Sequence, residues 1–245
     1  MQRGVILTLA VMATAFCGML YLVGLNAEDA TDRRRALGIA GMATGLVVIW
    51  IWGGGSLMYR YREVIRARVQ AIPLKWQVKF VLFATLLACA EEAVTVTMTN
   101  LAAAFGSRIG EAYITASANY FDVIAYHSVV VFIPYFIVLA LLLTRYDFKP
   151  FAVFLSFGVV GTVAEAIFAG NPGSLIGFPM WAFVYGLMVW LPAHCVPADR
   201  NARPVGVLAH LMLPVATFGL ALPMIMPIVF VISVVLGHPG IDFAP

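Results

Sequence analysis

Charge is what this sequence has least of. Of its 245 residues only 11% are charged, 15 Lys or Arg and 12 Asp or Glu, where a soluble domain carries about a quarter. Cysteine is equally scarce. The three residues, Cys17, Cys89 and Cys195, lie in or beside apolar segments without CxxC spacing, which argues against a disulfide framework or thiolate metal site and leaves them as small packing residues. These shortages exclude soluble enzymes, nucleic-acid binders and secreted disulfide scaffolds.

What fills the chain instead is apolar: 62% of residues, with a mean hydropathy of +0.96. Uncharged stretches of about 20 residues recur, each long enough to cross ~30 Å of hydrocarbon at 1.5 Å per residue. The expectation is an all-α, polytopic membrane helix bundle, a single integral membrane domain over residues 1–245 of a cell membrane, the inner membrane in a bacterium. Its partners would be membrane lipids and a lipid-phase or small-molecule substrate, not nucleic acid. Arg3 followed by Val5 to Leu25 resembles a signal peptide, but the run exceeds an h-region of about 7 to 15 residues, so it reads as the first span.

Seven spans are predicted, over residues 4–25, 37–59, 78–101, 120–144, 151–169, 175–192 and 205–236. Pro214, Pro223 and Pro227 in the last predict a bend or a break into two half-helices. Lys and Arg divide unevenly between the connections, eleven on one side and four on the other, which favours an N-inside, C-outside arrangement. The Arg33 to Arg35 triplet runs against that count, with Glu28, Asp29 and Asp32 beside it. The basic segment 59–72 reads either as a helix along the headgroups or as a solvated loop. Gly41 and Gly45 form a GxxxG pair suited to close helix packing.

Against this background each buried charge is informative. Glu91, Glu92, Asp122, His127 and Glu165 fall within or just inside predicted spans, where an ionisable group costs ~2.5 to 3.5 kcal/mol at the bilayer centre and is read as functional by default. Helical rise puts Glu91 and Glu92 ~18 to 20 Å above the inner edge, Glu165 ~22 Å above it, and His127 ~10 Å below the outer edge. Five groups from three consecutive spans thus share one layer in the outer half, and are expected to form one cluster.

Carboxylates with an imidazole can hold a divalent metal ion, for which Glu92, Asp122, His127 and Glu165 are the candidate ligands. Equally, neighbouring carboxylates can share a proton, giving an acid beside a base, with Glu91, Glu92, Glu165 and His127 as the catalytic candidates. A coupling site in a proton- or cation-coupled transporter needs the same groups, and in a non-catalytic subunit they would only fasten helices.

Structural roles compete at each position. Adjacent glutamates point about 100° apart on a helix, so Glu91 and Glu92 are not expected to face one ligand together. Thr95, Thr99 and Asn100 extend the polar face. Asp122 or Asn119 caps the fourth span. Glu165 has the strongest case, alone in an apolar segment beside Gly158, Gly161 and Ala169. His194 and His210 belong to the cytoplasmic ends of their spans and His238 follows the last one, so none of the three is expected in the outer layer. Trp181, Tyr185 and Trp190, between Pro179 and Pro192, form an aromatic span that serves packing or walls a lipid or isoprenoid groove.

No lysine lies beyond Lys149 for a retinal Schiff base, and GxSG, HExxH and the histidine boxes of desaturases are missing. Glu91-Glu92-Ala93-Val94-Thr95 resembles the EExxxR motif of the glutamate-dependent intramembrane proteases that process CAAX proteins. Val96 stands at that arginine, Val123 to His127 at FxxxH and His194 to Ala198 at HxxxN, so all three motifs depart. The resemblance implies a membrane hydrolase and no more. The leading expectation is a membrane-embedded enzyme acting on a lipid-phase substrate.

Overall fold

The computed structural model describes residues 2–168, 172–241 and 243. Seven helices are long and apolar enough to cross a membrane: α1 (Gln2–Leu25), α2 (Ala30–Ala71), α3 (Trp76–Asn100), α4 (Tyr120–Arg145), α5 (Pro150–Phe168), α6 (Phe178–His194) and α7 (Val207–Val235). Among the described residues there is no β-strand. In hydrocarbon every backbone N–H and C=O must find its partner within the chain, which leaves the helix as the solution for each apolar run. The centre is α6: 72% of its apolar window is buried, against 22% for α1 and 11% for α7.

Small residues let α5 and α6 meet at backbone distance. A Cβ added at Gly158 would stand 2.7 Å from the Cα of Ala182, and one at Gly186 2.5 Å from a ring carbon of Phe154. Gly161 lies directly on the ring of Tyr185. Ala169, also placed near Glu165 by the sequence, lies outside the described residues. Gly41 and Gly45 are used in the same way within the chain, against Phe105 and Met98.

One alternative for α7 falls away and one expectation changes. The prolines of α7 do not break it, since one helix runs to Phe230 and ends in a widened turn over Val231–Val235. The basic 59–72 segment is neither a separate surface helix nor a loop, because α2 continues through it for 42 residues, about 63 Å at the helical rise. Its foot is tied down: His194 Nε2 lies 3.1 Å from Glu63 Oε1, Gln70 donates to the Cys195 carbonyl at 3.1 Å, and Lys79 Nζ donates to the carbonyls of Gln70 and Ile72. Halfway along, Trp50 Nε1 donates to the Val184 carbonyl of α6 at 3.1 Å. At the other end Asp29 caps α2, accepting from the N–H groups of Thr31 and Asp32, and those two donors hold its carboxyl below the usual range. Two members of the arginine triplet are engaged, Arg33 with the nearby Ala27 carbonyl and Arg34 with Glu111 of the 101–119 connection.

At the basic end, the connections after α4 and α6 are cross-linked. Asp147 accepts from Arg200 at 2.9 Å and from Lys149 at 2.6 Å, and these two cations hold its carboxyl below its ordinary 3.8. A carboxyl depressed in the folded state contributes stability above its unfolded value, and the contribution is lost as pH falls through the folded one. Asp147→Asn is therefore expected to lower stability by about 0.5–1 kcal/mol at pH 7. In thermal melts of detergent-solubilised protein the gap from the wild type should close below pH 3.8.

Candidate functional site

By connectivity, α3 ends, α4 begins and α5 ends at the face of the bundle opposite the basic foot, so Glu91, Glu92, Asp122, His127 and Glu165 share one end, as their depths predict. They do not form one cluster. They divide into two neighbouring groups.

The first group lines a cavity of about 650 Å³. Glu91 and Glu92 enter it from α3 and Glu165 from α5, close enough for each to sense the others' charge. Both α3 glutamates are buried, at 3% and 5% exposure, and both face the cavity. The angular argument against their sharing a ligand therefore fails, because a cavity of this size spans the 100° between adjacent side chains. Glu92 Oε2 accepts from Thr95 Oγ1 at 2.9 Å and from Thr115 Oγ1 at 3.4 Å, with Ser128 beside it. Glu165 Oε1 accepts the Tyr185 hydroxyl of α6. That contact follows from Gly161, whose missing side chain seats the tyrosine ring one turn before Glu165.

The cavity's remaining walls are mainly apolar, with Arg35, Tyr113 and Ser128 among the polar residues. Leu20 on α1, Ile39, Ala43 and Leu46 on α2, and Met180 and Trp181 on α6 face the carboxylates, and Arg35 lies at the end of the α2 row. The polar face that continues from Glu91 holds the long 101–119 connection in place: Thr99 Oγ1 accepts the Ile114 N–H at 3.3 Å and Asn100 Nδ2 donates to the Ala118 carbonyl at 2.9 Å. This connection brings Thr115 to Glu92. Of the aromatic span, Trp181 and Tyr185 line the cavity, while Trp190 stacks on Tyr59 at the basic end.

Asp122 and His127 are not among the residues lining that cavity. Asn119, not Asp122, caps α4, accepting from the N–H groups of Phe121 and Asp122, which leaves the Asp122 carboxylate to side chains. Its Oδ2 lies 3.1 Å from His127 Nε2 and its Oδ1 2.7 Å from His238 Nε2. His238 thus reaches the layer from which the sequence reading excluded it. The chain turns back after α7 at Gly237, which takes φ +65°, open to glycine without a Cβ penalty. The parity of the spans held the signal: after an odd number of crossings, the residues beyond α7 lie at the same face as the start of α4. His194 and His210 stay at the basic end as expected, on Glu63 and the Gly206 carbonyl.

The cysteines are all free thiols, and burial pushes that of Cys195 up to about 11, a protonated packing group at neutral pH. Set against family models, curated proteins and solved structures, the chain matches none. Fold and site together define its class: a bundle with seven membrane-length helices, a buried carboxylate cavity, and an aspartate–histidine group with metal-ligand spacing beside it.

Proposed function

We propose that the chain is a membrane-embedded enzyme that acts on a lipid-phase substrate by proton transfer among Glu91, Glu92 and Glu165. One observation carries this reading: three carboxylates from two helices line one large cavity whose other walls are mainly apolar. An acyl or isoprenoid chain would lie along α1, α2 and α6, with its reacting polar group against the glutamates. Buried carboxylates held at close range favour sharing a proton, so one donates while its neighbour accepts. Tyr185 would orient Glu165, and Thr95 and Thr115 would orient Glu92. The positive-inside rule puts the basic foot in the cytoplasm and the cavity toward the outer leaflet of a cell membrane.

The divalent ion that the sequence allows at Glu92 and Glu165 we assign instead to the histidine group, whose mixed nitrogen and oxygen donors suit a borderline cation better than carboxylates alone.

The test reconstitutes the protein in nanodiscs made from the source organism's total lipid extract and follows lipid species by mass spectrometry, in parallel with proton uptake in liposomes. Wild type is expected to convert at least one lipid species, and Ile39→Trp, which narrows the apolar wall, to abolish the conversion. Proton flux without any lipid product would overturn the enzyme in favour of a coupled transporter.

A further inference from the structure

Asp122, His127 and His238 come from three separate places: the first turn of α4, the widened turn Val123–His127 that follows it, and the tail beyond α7. One ligand-type atom of each lies within 4.8 Å of the others. The side chains are mostly buried, at 12%, 8% and 16% exposure. The histidine rings meet edge to face at 5.0 Å, and Tyr126 stacks on His238 at 4.6 Å, which fixes the ring's plane.

The second nitrogen of His238 makes the arrangement chemically specific. Its Nδ1 lies 3.0 Å from the Pro239 carbonyl and its Nε2 faces an Asp122 carboxylate oxygen; both partners can only accept, and a neutral ring has one proton for the two. With that proton on Nδ1, the Nε2 lone pair is aimed at the carboxylate oxygen 2.7 Å away. A positive charge satisfies both acceptors at once: a second proton on the ring, or a cation held between Nε2 and the carboxylate. Metal-ligating histidines donate their other N–H to a backbone carbonyl in this manner.

We propose that these three residues bind a divalent cation of the zinc type, through His127 Nε2, His238 Nε2 and an Asp122 carboxylate oxygen, and that the ion clasps the C-terminal tail across the cavity mouth. A tetrahedral zinc with bonds of ~2.0–2.1 Å holds its ligand atoms ~3.3–3.4 Å apart. Asp122 offers a different oxygen to each ring, Oδ2 at 3.1 Å to His127 and Oδ1 at 2.7 Å to His238, and since one ligand atom of each residue lies within 4.8 Å of the others, separations change by no more than about 1.5 Å to reach that spacing. Two imidazoles and one carboxylate favour zinc over magnesium or calcium, and three protein ligands leave a fourth position for water. The clasp follows from position: Gly240 and Ile241, just past His238, line the cavity, and Phe243 packs on Tyr113 with ring centres 4.7 Å apart. The site uses none of the glutamates, so it stands or falls independently of the proton-transfer reading.

The experiment uses the full chain, purified without a polyhistidine tag, stripped with EDTA and titrated with zinc chloride. Metal content is read by mass spectrometry, and tail protection by hydrogen exchange over residues 237–241. One zinc per chain is expected, with exchange in the tail slowed at least tenfold by the metal. His238→Ala, and separately His127→Ala, should lose the zinc and the protection while keeping the wild-type helical signal. Failure of the wild type to bind, or equal binding by the histidine variants, would overturn the site. Binding that depends on the histidines but leaves tail exchange unchanged would overturn the clasp.

Discussion

Replacing Glu165 by glutamine is expected to slow lipid turnover by about 10²–10⁴-fold, the usual weight of a positioned acid or base, while the protein folds as before. Glutamine keeps the length of the side chain and an oxygen that accepts the Tyr185 hydroxyl, so the α5–α6 contact is preserved. What it removes is the ability to take up and release a proton beside Glu91 and Glu92. The comparison is made in native-lipid nanodiscs, with thermal unfolding measured on the same samples. Turnover within twofold of wild type would remove Glu165 from the chemistry. Tyr185→Phe is a useful companion: it keeps the ring that packs on Gly161 and deletes only the donor, so a smaller loss identifies the tyrosine as a positioning residue.

The second large effect is structural. Gly158→Leu is expected to abolish the folded protein, because its Cβ alone would meet the Cα of Ala182 at 2.7 Å and the Ala182 carbonyl oxygen at 2.9 Å. The obstruction is backbone, which cannot turn aside as a side chain can, and overpacking against a mobile neighbour already costs about 1–3 kcal/mol. The helix it would displace is the most buried of the seven, so no peripheral adjustment absorbs the strain. Gel filtration of the detergent-solubilised variant should show aggregate in place of a monodisperse peak. Leucine at Gly219, where nothing lies within 4 Å, is the control expected to leave the peak intact.

Much of the fold was legible because the bilayer enforces a simple rule, that about 20 apolar residues must become a helix. The predicted 120–144 segment matches Tyr120–Arg145, the first span ends at Leu25 as predicted, and the sixth lies within two or three residues at each end. Glu165 could be singled out because the glycines before it mark a close approach, and the structure shows α6 making it. Contacts made across the sequence were not legible. His238 lies 116 positions from Asp122, and no local periodicity connects them. Thr115 reaches Glu92 from a connection without regular pattern. The continuation of α2 into its basic segment was obscured because arginines mark a membrane boundary without ending a helix.

That long helix has a mechanical consequence. Trp50, bonded to the Val184 carbonyl, stands at the midpoint of the 42 residues. One arm carries Ile39, Ala43 and Leu46 into the cavity wall, and the other ends at the basic foot. The helix widens over Val47–Gly54 around this tryptophan, and a rotation of about 2° there moves the tip of an arm of ~31 Å by about 1 Å. The helix that walls the cavity is thus the one that carries the basic foot, and it is pinned to α6 between the two.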